Sequence, residues 1–128
     1  MNQSTFAAHI ADDTLPRYCR EIDGDCPLDR WISYAVKVLR DGGIETYESC
    51  QGGVGHSFPE PTIRFHGTDA DGFRALSVAM TFGLPVFSLR RFWTMTYGEP
   101  TGPNWEMTFG PLSDLKSRQR AAEKAGQV

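Results

Sequence analysis

Positive charge is not in excess in this chain. Thirteen Lys and Arg stand against sixteen Asp and Glu, a formal net charge of −3, which excludes a general nucleic-acid binder that needs a basic surface. Long apolar runs are also missing. Nothing approaches the roughly 20 residues of a membrane helix, and the opening MNQSTFAAHIADD has neither the basic head nor the apolar stretch of a signal peptide. Cysteine is scarce and odd in number, three in all, with no C-x2-C pair. The expectation is a cytoplasmic protein with free thiols and no membrane association; a Cys19–Cys26 disulfide is disfavoured by that compartment. The GGVG of the central loop lacks the G-K-[ST] and following helix of a phosphate loop.

What is present is enough apolar material for one core: 40% hydrophobic and 12% aromatic residues over 128 positions. Residues 1–15 read as a loose polar arm, with Phe6 and Ile10 able to dock it. Residues 16–110 read as a single α+β domain and 111–128 as a polar helical tail. Leu28, Trp31, Ile32, Ala35, Val36 and Leu39 recur at i, i+3, i+4, i+7, i+8, i+11, one face of a helix. Pro27 suits its first turn, Asp25 or Cys26 its cap, and Gly42 with Gly43 its end. IETYES and TIRFHG alternate as an antiparallel pair, with Ile63 and Phe65 on one face and Thr62, Arg64 and His66 on the other. Thr68 and Asp71 form a capping box. It opens a second helix with Phe73, Leu76 and Met80 expected inward and Gly83 at its end. VFSLRRFWTMTY and NWEMTF, joined by GEPTGP, make a second strand pair, in which Trp93 and Trp105 are expected to join Trp31 in the core. The predicted fold is a four-stranded, mostly antiparallel sheet with two helices on one face, in the order α-β-β-α-β-β, followed by a polar C-terminal helix. The short basic groups Arg90–Arg91 and Lys116–Arg120 are read as solvated surface.

The stretch that asks for a function is ESCQGGVGHSFPEP, residues 48–61. Hairpin connections usually need about 2–5 residues, and this one is roughly twice that. Gly52, Gly53 and Gly55 permit positive φ and close backbone approach, and successive N–H groups there suit an anion. Pro59 and Pro61 stiffen the far limb. Ser49, Cys50, Gly52, Gly53, Gly55, His56, Glu60 and Arg64 are the expected ligand-binding set. Cys50 and His56 supply only two metal donors where zinc wants three or four, and His66 lies too far along its strand, so no metal and no cofactor are assigned. The alternative for Cys50 is a small buried apolar residue, and for His56 a surface hydrogen-bonder.

Thr46, Ser49, Cys50, Gly52, Gly53, Gly55 and His56, followed by Pro59, Glu60, Pro61 and Thr62, spell T-x-x-S-C-x-G-G-x-G-H and then P-E-P-T. Over residues 28–109 the chain resembles a family of small bacterial and mobile-element proteins that carry this loop and have no settled activity. The resemblance implies the fold and the importance of the loop, and assigns no chemistry. Three functional readings follow. The first is a small binding or accessory protein, possibly encoded by a mobile element, whose loop and adjoining sheet hold a small anionic ligand or a partner protein. The second is an enzyme with Cys50 as nucleophile and His56 as base, for which no orienting third group is visible in the sequence. The third is an acidic inhibitor of a basic partner, working through Asp12, Asp13, Glu21, Asp23 and Asp25.

Overall fold

The computed structural model describes residues 28–128. The expected arm, the Cys19–Cys26 pair and the N-terminal acidic residues lie outside the described residues. The expected Asp25 or Cys26 cap and Pro27 first turn are corrected: the first helix starts at Arg30 with Asp29 as its N-cap residue. The elements run α1 (Arg30–Asp41), β1 (Glu45–Cys50), β2 (Thr62–His66), α2 (Asp69–Thr81), β3 (Val86–Thr96), β4 (Glu99–Phe109) and α3 (Leu112–Lys124). This is the predicted α+β order with the tail helix appended. All neighbouring strands are antiparallel, in the spatial order β1-β2-β4-β3. β4 returns to lie beside β2, so β1 and β3 are the two edges.

One face of the sheet carries Ile63, Phe65, Trp105, Met107 and Phe109, all buried. Against it pack Leu28, Ile32, Ala35, Val36 and Leu39 of the α1 region, the stripe the periodicity predicts. Trp31, the sixth member of that stripe, is only half-buried and lies at the margin of the core. The C-terminal helix is part of the core: Leu115 and Ala122 are buried, and so is Gln119. The Gln119 Oε1 accepts the Tyr34 N–H at 2.9 Å while its Nε2 donates to Ser33 Oγ at 3.0 Å. A buried amide with both ends satisfied ties α3 to α1.

Helix α2 is rotated from its sequence pattern: Leu76 packs against the core as expected, half-buried, but its two companions do not. Phe73 and Met80, expected inward, are each 64% exposed, whereas Gly72, Ala75 and Ala79 are buried. The reason is close approach. A Cβ on Gly72 would stand 2.3 Å from the Trp105 ring, so the helix meets the sheet on its smallest residues and its large ones are left at the rim. Phe73 still meets the Trp105 ring edge-on, at 6.2 Å between centroids. The Thr68–Asp71 capping box forms as predicted.

The expectation of a three-tryptophan core is corrected as well. Only Trp105 is buried; Trp93 is exposed. β4 pairs with β2 only through Trp105–Thr108, while its pairing with β3 continues out to Glu99. The far half of the β3–β4 ribbon therefore has no third strand beside it, and Trp93, Met95 and Tyr97 stand on this overhang.

The opposite face of the sheet is polar. Glu106 is buried there, its carboxylate bonded by Arg64 Nε at 3.0 Å and Arg90 Nε at 2.6 Å. The Arg64 guanidinium is held between the rings of Phe58 and Phe92, at 4.7 and 4.6 Å. Burial pushes the Glu106 carboxyl up, but the hydrogen bonds from Arg90 and Arg64 outweigh it and hold the group below the usual glutamate range.

Candidate functional site

The site assembles where the N-terminus of α1 meets the end of β1. Asp29 is the N-cap residue of α1, yet its side chain makes no cap hydrogen bond. The Asp29 Oδ2 accepts the Gln51 N–H at 3.0 Å instead, and the same oxygen lies 3.4 Å from His56 Nδ1. An aspartate in the position best suited to cap a helix is thus given over to the loop.

Gln51 is the second connector. The Trp31 N–H donates to its Oε1 at 3.2 Å, and its Nε2 meets His56 Nε2 at 3.4 Å. Trp31 fixes the amide's orientation, so Gln51 presents a donor to the ring. The network therefore assigns His56 the tautomer with its proton on Nδ1, facing Asp29, and its lone pair on Nε2.

Cys50 closes the group. It ends β1 opposite Thr62, is buried and free, and its Sγ accepts the Gly52 N–H at 3.4 Å. The loop then doubles back tightly. Gly52 has φ +83°, and a Cβ there would meet the Glu60 carbonyl carbon at 2.4 Å. The Gly53 N–H donates to Pro59 O at 3.0 Å and the His56 N–H to Gly53 O at 3.1 Å. The length of the loop, puzzling as a hairpin, is what swings the His56 ring back over the strand end. One donor atom each from Asp29, Cys50 and His56 lies within 4.8 Å of the others.

The structure brings Cys50, Gly52, Gly53 and His56 together as the sequence leads one to expect. Ser49 is a half-buried ladder residue opposite Ile63, and Gly55 and Glu60 are exposed loop residues. Arg64 is engaged on the polar sheet face, with Glu106 and Glu48. The Gly52 and Gly53 N–H groups, two of those an anion nest would use, are already bonded within the loop. Asp29 and Gln51 are the residues sequence reasoning missed. Gln51 sits inside the motif, between the cysteine and the first glycine. Asp29 lies 21 positions before the cysteine, as its numbering shows, and nothing local links it to the loop.

Chemically, the arrangement joins a sulfur, an imidazole nitrogen and a carboxylate oxygen. Zinc bonds of 2.0–2.3 Å imply donor–donor edges of about 3.3–3.8 Å in a tetrahedron. The Asp29–His56 contact, 3.4 Å to Nδ1, has the length of such an edge, with zinc there taking the place of the Nδ1 proton, and closing the widest gap takes a shift of about 1 Å. The Gly52 N–H on sulfur is the kind of outer contact that steadies a metal ligand. The same three side chains also form the order nucleophile, base and orienting carboxylate of thiol catalysis. No helix among the described residues is long and apolar enough to cross a membrane. Comparison with protein-family models, curated proteins and solved structures finds no match to this chain.

Proposed function

We propose that the chain is a small binding protein of the cytoplasm whose Asp29, Cys50 and His56 hold a divalent transition ion, zinc by its donor set, with a fourth position left for a ligand. The observation that carries the reading is the convergence of three chemically different donors within 4.8 Å. Sulfur and imidazole favour zinc over magnesium or calcium. Burial of the Cys50 thiol suits a ligand better than a nucleophile that must meet substrate. A reducing compartment keeps that thiol out of disulfides and available to a metal. Equilibrium dialysis of the full chain against zinc tests this. One zinc per chain is expected, lost in Cys50→Ser and His56→Ala and weakened in Asp29→Asn. Stoichiometry unchanged by Cys50→Ser defeats the reading.

A specific observation keeps the enzymatic reading alongside it: Asp29 supplies the orienting group that thiol catalysis needs, and the assigned tautomer puts the lone pair on His56 Nε2, which takes a proton once its 3.4 Å contact with the Gln51 amide opens. The discriminating measurement is alkylation of Cys50 in metal-free protein, resolved by peptide mass spectrometry. Under the metal reading, zinc protects the thiol. Under the catalytic reading, Cys50 alkylates faster than a free cysteine of pKa about 8.5. A rate no faster than free cysteine removes it.

A further inference from the structure

The Trp31 ring next to the metal-ligand cluster gathers cations. Arg30 Cζ lies 4.2 Å from the ring centroid, Arg120 Cζ 4.9 Å and Lys116 Nζ 5.2 Å. Like charges drawn to one ring repel, and packing on an aromatic face returns only about 0.5–1 kcal/mol per cation at an exposed site. One carboxylate answers them. Glu123 takes Arg30 through both oxygens, at 2.8 and 3.0 Å. Arg30 holds its carboxyl below the usual range, and Arg120 adds to that at longer reach. Among the described residues no ion pair is formed by Lys116 or Arg120. Among the described residues these three cations share one paired carboxylate, on a chain whose net charge is −3.

This platform is wired to the cluster. Gln51 accepts the Trp31 N–H with one end of its amide and meets His56 with the other, and Arg30 follows Asp29 directly in the chain.

We propose that Lys116 and Arg120, backed by Trp31, form an anion-binding platform beside the Asp29–Cys50–His56 cluster, and that the ligand it takes is a phosphate monoester. Charge selects the class. A monoester carries about −1.5 to −2 at neutral pH, suited to the two cations that form no ion pair among the described residues, and Arg offers a fork for two phosphate oxygens with Lys as a point charge beside it. Size excludes a nucleic-acid duplex, since salt-sensitive duplex binders typically contact about 6–10 phosphates, and this patch has positive charge for one. The inference deepens the binding reading by naming its ligand class. It rests on that reading only for the idea that one molecule meets both cations and metal.

The test titrates full-length protein, metal-free and zinc-loaded, with phenyl phosphate at low ionic strength, read by calorimetry and tryptophan fluorescence. Saturable 1:1 binding is expected, weakened about tenfold or more in Lys116→Gln/Arg120→Gln. It should be unchanged in Lys37→Gln, whose lysine pairs with Asp41 instead. Circular dichroism and urea midpoints show whether each variant is folded. Binding by metal-free protein, or its survival in Cys50→Ser, supports the platform even if the metal reading fails. Binding that needs zinc and is lost in the double variant supports both. Absence of saturable binding to either form of the wild type overturns the proposal, as does equal affinity in a folded double variant.

Discussion

Replacing Gly52 by alanine attacks the turn that delivers His56 to Cys50, and its cost divides into two parts. The first is conformational. Gly52 has φ +83°, where an L side chain costs about 1–2 kcal/mol. The second is steric: the new Cβ would lie 2.4 Å from the Glu60 carbonyl carbon, 2.6 Å from Pro61 N and 2.8 Å from Glu60 Cα. These are backbone atoms, so no rotamer change relieves them, and overpacking of this kind costs about 1–3 kcal/mol. Gly55 is the internal control. Its φ is +85°, but an added Cβ meets nothing within 4 Å. Gly52→Ala should therefore cost about 2–5 kcal/mol and Gly55→Ala about 1–2 kcal/mol. In urea, midpoint shifts on the order of 1–2 M and roughly 0.5–1 M are expected. Because the far limb must retreat, the Gly52 N–H also leaves the Cys50 sulfur, so zinc affinity should fall with Gly52→Ala more than with Gly55→Ala. Equal midpoints for the two variants would refute the crossing of the loop limbs that builds the site.

Further outcomes follow from other contacts. Glu106→Gln should cost about 1–3 kcal/mol at neutral pH, the worth of hydrogen bonds to a charged group at a buried site whose Arg90 partner reaches solvent. The depressed Glu106 carboxyl stabilises the fold above the ordinary glutamate value of about 4.3, and that contribution is lost as pH falls through the lower folded value. Denaturation curves from pH 7 down to 3 should therefore converge for wild type and variant at the acid end. Gln119→Ala should destabilise by about 1–3 kcal/mol, since it removes the side-chain acceptor of the buried Tyr34 N–H and the donor to Ser33 Oγ, which keeps its own bond to Arg30 O; chemical denaturation measures it.

Local periodicity carried the helices, strands and turns into view. The α1 stripe, the alternation of Ile63 and Phe65 and the Thr68 capping box are all statements about neighbours in sequence; the expected GEPTGP turn is corrected, since residues 99–103 already belong to β4 and the chain reverses at Tyr97–Gly98. Where the structure departs from expectation, contact between distant segments decides. Phe73 and Met80 look like core by hydrophobicity. Yet the sheet presents the broad ring of Trp105, and only Gly72 and the alanines after it allow α2 to come that close. Trp93 looks like core too, but it falls beyond the reach of β2 and has no layer above it. The loop was legible as an anomaly of length, and Cys50 and His56 as its chemistry. Asp29 was not, because the apolar stripe and Pro27 draw the helix start back to Asp25 or Cys26 and leave Asp29 as an ordinary helical residue, whereas it stands at the N-cap position. Its release from that duty shows only when the helix N-terminus and the end of β1 are seen side by side.

Cobalt(II) titration of the full chain tests the central claim most directly, because a cobalt–thiolate bond gives a charge-transfer absorption that carboxylate or imidazole coordination alone does not. The account predicts one equivalent of cobalt, a sulfur-to-metal band that disappears in Cys50→Ser, a weakened or shifted spectrum in Asp29→Asn and His56→Ala, and displacement by zinc. Cobalt that leaves the protein colourless in the charge-transfer region, or a band that persists in Cys50→Ser, would contradict a site built from Asp29, Cys50 and His56.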